Sequence, residues 1–154
     1  MSEKYQGRYR SESTRLNGWN YNSSAVYHVT INTSGGTHFF GNIEKGKMQL
    51  SQIGEIVREE WLNTMALRPD MNLELGEFVV MPNHFHALIH IGVNEFNQTR
   101  QGRLLRFPME QDYPEWKNTF GAQRKNLASI IRGFKSKVTS RVRREKALPL
   151  IRTN

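Results

Sequence analysis

Two histidines separated by a single residue, His84 and His86, stand in the segment VVMPNHFHALIHI, residues 79–91, which otherwise has the composition of a buried strand. Alternate side chains of a strand share a face, so the two histidines are expected side by side, with Cα atoms roughly 6 to 7 Å apart. Imidazoles at that spacing can converge on one divalent ion. The spacing therefore predicts half of a metal site.

The alternative is that both histidines are ordinary half-exposed side chains on the open face of a sheet, which is the commoner meaning of an isolated His-x-His motif. Three features favour the metal site: the break at residues 81–83 that places His84 at the start of a strand, the purely apolar opposite face, and the basic chain. His90 lies deeper along the strand, and we assign it to packing or to support of the ligands.

A strand that exposes histidines on one face requires a core on the other. Phe85, Ala87, Ile89 and Ile91 alternate with the histidines and predict that core face. The preceding segment NLELGEFVVM predicts a second strand, joined to the first by a tight connection because Pro82 cannot donate to a sheet ladder.

Further elements are predicted on both sides of these strands. AVYHVTI, residues 25–31, alternates as a strand, and the turn SGG would pair it in a hairpin with THFFGNI, residues 37–43. Residues 50–69 have the apolar spacing of a helix, with Ser51 as its cap and Pro69 as its end.

The second half of the chain predicts a long loop over residues 92–121 and an amphipathic helix over residues 125–146. The order of elements is then strand, strand, helix, strand, strand, helix. This order predicts an α+β fold, an antiparallel sheet with its helices on one face.

The composition limits the class of protein. A chain of 154 residues with 37% hydrophobic residues suits one domain, for which we expect a basic arm over residues 1–20 and a folded body over residues 21–154. The lack of cysteine excludes disulfides, thiolate zinc sites and cysteine nucleophiles. Without a signal peptide or a membrane-spanning segment, the chain is expected to be cytoplasmic, with no membrane partner.

The charge is strongly positive and uneven. Twenty-two Lys and Arg against 14 Asp and Glu give a net charge of +8, which favours polyanionic partners, nucleic acid ahead of a membrane surface. Between residues 124 and 146 nine cations are opposed only by Glu145. This imbalance weakens the usual interpretation of a charge run as a solvated helix face.

The segment VVMPNHFHALIHI resembles the HUH signature (histidine, hydrophobic, histidine) of the single-tyrosine transposases, in particular of the REP-associated tyrosine transposases. Three more segments resemble, in the same order, the family's first strand, first helix and pre-catalytic helix: RLNGWNYNSSAVYHVTINT, HFFGNIEKGKMQLSQIGEIVREEW and ASIIRGFKSKVTSRV. The resemblance covers essentially residues 15–142.

The resemblance implies a ferredoxin-like sandwich that acts on single-stranded or hairpin DNA, often as a homodimer. It implies that His84 and His86 hold Mg²⁺ or Mn²⁺ over the scissile phosphate, and that Asn83 is the residue the family commonly has before them. It places Lys135 and Ser136 on the family's FKS element, beside the DNA. In that family a tyrosine from a later helix attacks the phosphorus, and the resulting 5′-phosphotyrosine link stores the bond energy for strand transfer.

The sequence departs from the family pattern after the FKS helix, where the family has a further strand and a helix bearing the nucleophilic tyrosine. The sequence ends at Asn154 before either, so we expect the last strand and the catalytic helix to be missing and assign no catalytic residue. Its tyrosines all precede the FKS helix: Tyr5, Tyr9, Tyr21, Tyr27 and Tyr113. Tyr113, in the predicted loop and followed by Pro, lacks the rigid support that a nucleophile beside a metal needs.

Three functions remain open at this point: a transposase-type enzyme whose tyrosine is missing or supplied by a partner, a non-catalytic DNA-binding remnant or regulator, and, more distantly, a metal-dependent hydrolase. The motif places no carboxylate as a base for the hydrolase. Charge clustering predicts DNA contacts in the arm and the last helix: Arg8, Arg10, Arg15, Lys125, Arg132, Lys135, Lys137 and Arg141.

Overall fold

The computed structural model describes residues 4–5, 8–9, 19–97 and 124–147. The strands are β1 (Lys4–Tyr5), β2 (Arg8–Tyr9), β3 (Ala25–Asn32), β4 (Gly41–Glu44), β5 (Lys47–Leu50), β6 (Leu73–Met81) and β7 (His84–Ile91), and the α-helices are α1 (Gln52–Leu62) and α2 (Leu127–Ala147). The main sheet is antiparallel with the order β3-β7-β6, while β1 pairs with β2 and β4 with β5. The fold is α+β with antiparallel sheets, as predicted.

The histidine-bearing strand β7 is the central strand of the main sheet. The predicted core face is confirmed, because at most 1% of the surface is exposed in each of Phe85, Ala87, Ile89 and Ile91. The tight connection is also confirmed, because only Pro82 and Asn83 separate the end of β6 from the start of β7.

The predicted hairpin between residues 25–31 and 37–43 is wrong. β3 pairs with β7 along its whole length, from Ala25 opposite Ile91 to Asn32 opposite His84. β4 instead pairs with β5 across a two-residue turn, where Lys45 and Gly46 both have positive φ, 49° and 76°. Positive φ at both central residues is the geometry that two-residue hairpins favour, and this short local turn outcompetes the more distant pairing.

The core lies between the main sheet and the two helices. Trp61 of α1 meets Phe85 and Phe134 edge to face, with ring centroids 5.1 and 5.2 Å apart, and Phe134 of α2 lies 5.6 Å from Phe85. Ile130 of α2 is also fully buried. Since Phe85 points away from the histidines on the same strand, both helices cover the face opposite to His84 and His86.

Helix α1 begins where the sequence predicts and ends earlier. Ser51 caps it by accepting a hydrogen bond of 3.1 Å from the backbone N–H of Gly54, which confirms the predicted cap. The helix ends at Leu62 rather than at Pro69; Pro69 opens a 3₁₀ turn, Pro69–Met71. The buried Thr64 donates its hydroxyl to Glu60 O, a local bond to backbone that competes with continued helix.

The loop of residues 33–40 joins α1 to the β6–β7 turn. On one side, Phe40 O accepts from the Ser51 N–H at 2.9 Å. On the other side, the Phe40 N–H donates to Pro82 O at 3.0 Å and the Thr33 N–H donates to Asn83 O at 2.9 Å. This loop is therefore hydrogen-bonded both to the N-cap of α1 and to the turn that precedes β7.

The folded body begins before residue 21. Trp19, which the sequence pattern assigned to the arm, packs with Tyr21 against the core. The indole of Trp19 donates to the Tyr27 hydroxyl at 3.3 Å, and this hydroxyl donates to Ser23 O at 2.8 Å. Neither α1 nor α2, the helices of the described ranges, is long and apolar enough to cross a membrane.

Candidate metal and nucleic-acid site

The two predicted metal ligands lie together on the open face of the sheet. The rings of His84 and His86 are half-buried, with centroids 4.8 Å apart and planes at 78° to each other. They project from the central strand, which is held by backbone pairing on both sides. A pair this close can direct two nitrogens to one ion.

Asn83 fixes the orientation of the His84 ring. Its amide nitrogen donates to Gly36 O at 3.2 Å, so its Oδ1 must be the atom that lies 2.8 Å from Nδ1 of His84. An amide oxygen only accepts, and His84 therefore carries its proton on Nδ1. In the neutral ring this leaves a lone pair on Nε2, which is the form that ligates a metal.

His86 is held by the neighbouring strand. Its Nδ1 lies 2.9 Å from the hydroxyl of Thr30, the residue directly opposite on β3. A hydroxyl can donate or accept. When Thr30 accepts from Nδ1, the Nε2 of His86 is free to bind a metal, as in His84.

A third histidine, which the sequence analysis did not assign to the site, stands beside this pair. His28 of β3 is exposed and stacks on His86, with centroids 5.4 Å apart and planes at 12°. The alternation of His28 with Val26 and Thr30 predicted the face on which it lies. Its place beside His86 depends on the pairing of β3 with β7, which was not predicted. Register between distant strands carries little signal in one sequence.

His90 lies further along the same face and is not part of the pair. Its Nδ1 is 3.4 Å from Oε2 of Glu74 on β6, and Val26 stands opposite it on β3. The assignment of His90 to a role other than ligand stays a prediction.

The donor set near the pair fits a weakly held cation. Within residues 19–97 and 124–147, no group of three or more His, Asp or Glu side chains is arranged to hold a metal ion. His84 and His86 would supply two nitrogen ligands, and the remaining positions would be filled by water or by phosphate oxygens, as is usual where Mg²⁺ or Mn²⁺ bridges protein and substrate.

The tyrosines whose side chains are described lie on the core side of the sheet, opposite to the face of His84 and His86. Tyr27 is on β3 opposite Ile89, among the core side chains, and is 7% exposed. Tyr21 packs beside it, with ring centroids 5.9 Å apart. Tyr5 and Tyr9 lie in β1 and β2, and Tyr113 lies outside the described residues.

The predicted DNA contacts of α2 divide into two groups. Arg132, Lys135, Ser136 and Lys137 are exposed. Ser136 and Lys137, with Ser140 and Arg144, also line a groove of about 630 Å³ whose other wall includes Glu60 and Asn63. Because α2 covers the core face of the sheet, these residues and the His84–His86 pair lie on opposite sides of it.

Arg141 belongs to the second group, whose members are half-buried, and carboxylates surround its guanidinium. Its guanidinium pairs with Glu59 and Glu60 of α1 and with Glu145 one turn along α2. These carboxylates hold the pKa of Arg141 above its usual range, and the hydrogen bonds that Arg141 donates to Glu145 and Glu59 contribute most. The arrangement ties α1 to α2 and argues against Arg141 as a DNA contact.

Lys125 is matched in the same way. Its ammonium pairs with Asp70 and lies 4.8 Å from the centroid of the Phe96 ring. The hydrogen bond from Lys125 holds the pKa of the Asp70 carboxyl below its usual value. In the arm, Arg8 lies in β2, and Arg10 and Arg15 lie outside the described residues.

The comparison with curated proteins gives one relative that decides the family. An uncharacterized protein of Haemophilus influenzae is 32% identical to this chain over 148 residues, which is 94% of this chain and 75% of the relative. The chain belongs to the family of that protein. The part of this chain that matches the relative is long enough to include all three strands of the main sheet. No protein-family model matches the chain, and no solved structure matches it.

Proposed function

We propose that this chain binds single-stranded DNA next to a hairpin and holds a divalent cation between His84 and His86, over a phosphate of the bound strand. The observation that carries the proposal is the pair itself: two imidazoles 4.8 Å apart on the exposed face of a central strand, one of them fixed by Asn83 with its Nε2 lone pair free. The similarity to the HUH signature of the REP-associated tyrosine transposases gives the substrate class.

The donor set favours Mn²⁺ over Mg²⁺. Imidazole nitrogen is a softer ligand than the oxygens that Mg²⁺ prefers, whereas first-row transition metals accept it. The bound cation would supply positive charge to the phosphate oxygens. Asn83 and Thr30 contact the Nδ1 atoms of His84 and His86, so the Nε2 atoms would be the ones to hold the cation.

The proposed reaction is metal-dependent strand cleavage and transfer. A tyrosine oxygen attacks the phosphorus, the bond to the 3′ oxygen breaks, that oxygen takes up a proton, and the 5′-phosphotyrosine link keeps the energy of the broken bond. Since Tyr21 and Tyr27 pack on the core face, the attacking tyrosine would be a different one, from this chain or from a partner chain, as in a homodimer.

The second candidate is a non-catalytic DNA-binding protein that keeps the same surfaces. It is favoured by the finding that neither of the tyrosines whose side chains are described lies on the face of His84 and His86. The proposed DNA-backbone contacts are then Lys135, Ser136, Lys137 and Arg132 on the exposed surface of α2, together with the basic arm.

The connectivity supports a ferredoxin-like fold for either function. The chain runs β3, α1, β6, β7, α2, and the sheet order is β3-β7-β6. This is the path of the first three strands and both helices of a β-α-β-β-α-β fold, with the β4–β5 hairpin as an insertion before α1. In that fold a fourth strand pairs with the outer edge of the strand that corresponds to β3.

The first experiment is metal binding measured by electron paramagnetic resonance of Mn²⁺. The wild-type chain should bind Mn²⁺, and His84→Ala and His86→Ala should each lose binding. His38→Ala is the matched control, because His38 is exposed in the loop before β4. Equal binding by all variants would contradict the metal site.

The second experiment incubates the chain and Mn²⁺ with labelled hairpin DNA carrying single-stranded flanks, followed by a denaturing gel. A covalent protein–DNA adduct supports the transposase reaction. Salt-sensitive binding without an adduct supports the non-catalytic candidate. Absence of any DNA binding would contradict both.

A further inference from the structure

The open face of the main sheet is a flat array of side chains that extends beyond the histidine pair. Residues that stand opposite each other in the register share a face, so Asn32, Thr30, His28 and Val26 of β3 lie beside His84, His86, Leu88 and His90 of β7. Val79 completes the row of His86 on β6. The array is polar at the His84 end, carries Val79, His28 and Leu88 in its middle, and ends in a row of Val26, His90 and Glu74.

Several apolar and aromatic side chains of this array are accessible. Val26, Val79 and Leu88 are 64, 44 and 38% exposed, and His28 is exposed between them. Isolated exposed apolar residues are ordinary, but a group on one flat face indicates a binding surface. The nearby imidazoles make this surface one for a planar, partly polar ligand.

His28 is presented as a platform. Its ring is nearly parallel to that of His86, 12° from it at 5.4 Å, and Thr30, two residues along β3, fixes His86 through the 2.9 Å contact with Nδ1. Because His28 is exposed and its ring is already stacked on His86, a base could stack on it at little cost in entropy. Stacking on such rings is how sheet-face proteins hold the splayed bases of single strands.

From this geometry we infer that the open face is a base-binding platform, in which an unstacked base of the bound DNA strand stacks on His28 and contacts Leu88 and Val26. The inference rests on the proposed function, because the phosphate next to that base is the one over His84 and His86. It gives His28 a positioning role: it sets the register in which the strand crosses the metal pair.

Single-stranded DNA fits this face better than a second copy of the chain. The charge of +8 opposes self-association and attracts a polyanion. The array also alternates imidazole, hydroxyl and amide groups with its apolar side chains, whereas interfaces between permanent partners have a more apolar centre.

The test measures affinity for a set of single-stranded DNA oligonucleotides, each with one abasic site at a successive position, in the presence of Mn²⁺. The wild-type chain should lose about fivefold or more in affinity when one particular base is absent. His28→Ala should bind the intact strand about fivefold more weakly and show no further loss with that abasic strand. His28→Phe should restore the dependence on the base, and His38→Ala should behave as wild type.

The outcomes separate this inference from the proposed function. If wild type and His28→Ala bind all strands equally, while His84→Ala still loses Mn²⁺, the platform is wrong and the metal site stands. If the wild type binds neither Mn²⁺ nor DNA, the proposed function and the platform both fail. If His28→Ala changes only the sedimentation coefficient, the face is an interface between copies and the platform is wrong.

Discussion

Asn83 and His84 form a hydrogen-bonded pair within the β6–β7 turn, with Oδ1 of Asn83 at 2.8 Å from Nδ1 of His84. Asn83→Ala removes the acceptor that fixes the proton on Nδ1 and leaves the ring free to turn. Loss of such a supporting group typically costs 10- to 100-fold in metal affinity. We expect Mn²⁺ affinity to fall about tenfold, measured by calorimetry.

The control for this prediction is Asn42→Ala, the same substitution at an exposed position of β4. It should leave Mn²⁺ affinity unchanged. An Asn83→Ala variant that is folded by circular dichroism and binds Mn²⁺ as tightly as wild type would show that the turn does not orient the ligand.

The two faces of β7 can be compared with one substitution on each face. Ile89→Ser should lower the free energy of unfolding by about 3 kcal/mol or more, because Ile89 is fully buried and its loss leaves a cavity and a buried hydroxyl. Leu88→Ser, one residue away on the exposed face, should cost less than about 1 kcal/mol. Urea denaturation of both variants is the measurement, and similar losses would contradict the assigned faces.

Arg141 is expected to stabilise the protein rather than bind DNA. Arg141→Met breaks the network with Glu59, Glu60 and Glu145 and should cost about 1 kcal/mol, the upper range for surface ion pairs. The loss should shrink at high salt. Arg143→Met, at an exposed position of the same helix, should change stability by less than half as much.

DNA affinity should separate the cations of α2. Lys137→Met removes an exposed charge beside the groove of Ser136 and Arg144, and the slope of log affinity against log salt should fall by about one. Arg141→Met should leave that slope unchanged. The reverse order of effects would mean that the carboxylates around Arg141 release it when DNA binds.

Tyr27 should make the protein less stable at alkaline pH. Burial raises the pKa of its hydroxyl above the ordinary value of 10.0, although the hydrogen bond from Trp19 lowers it. Because the folded state holds this proton more tightly, the stabilisation is complete below pH 10 and is lost as the pH rises through the folded pKa. Urea denaturation between pH 7 and pH 11 should show the decline.

Tyr27→Phe tests the cause. It should cost about 1 kcal/mol at pH 7, since Ser23 O loses its donor, and the decline above pH 10 should become shallower. An identical alkaline decline in the variant would assign the effect to other groups.

Local patterns predicted much of this structure. The alternation of residues in β7 predicted its two faces, Pro82 predicted the tight turn, and Ser51 predicted the start of α1. Each of these features depends on residues that are close in sequence. The predicted partner of β3 was wrong because pairing between distant strands depends on the whole sheet. The turn at Lys45 and Gly46 instead pairs β4 with β5 in a local hairpin.

The candidate site was predictable to the same extent. The proximity of His84 and His86 follows from a spacing of two on one strand. The place of His28 beside them required the register of β3 with β7. The matched charge of Arg141 required the approach of α1 and α2, and no charge count along the chain distinguishes a helix surface from a helix–helix contact.

The loop of residues 33–40 links the His84–His86 pair to a measurable local opening of the chain. Its Thr33 and Phe40 amides donate to the carbonyls of Asn83 and Pro82, so these protons can exchange with solvent only when the loop separates from the turn. A cation that needs the turn closed should slow deuterium uptake at both amides, although neither lies in a helix or strand. The exchange rates of these two loop amides would then report whether a cation is bound at His84 and His86 of β7.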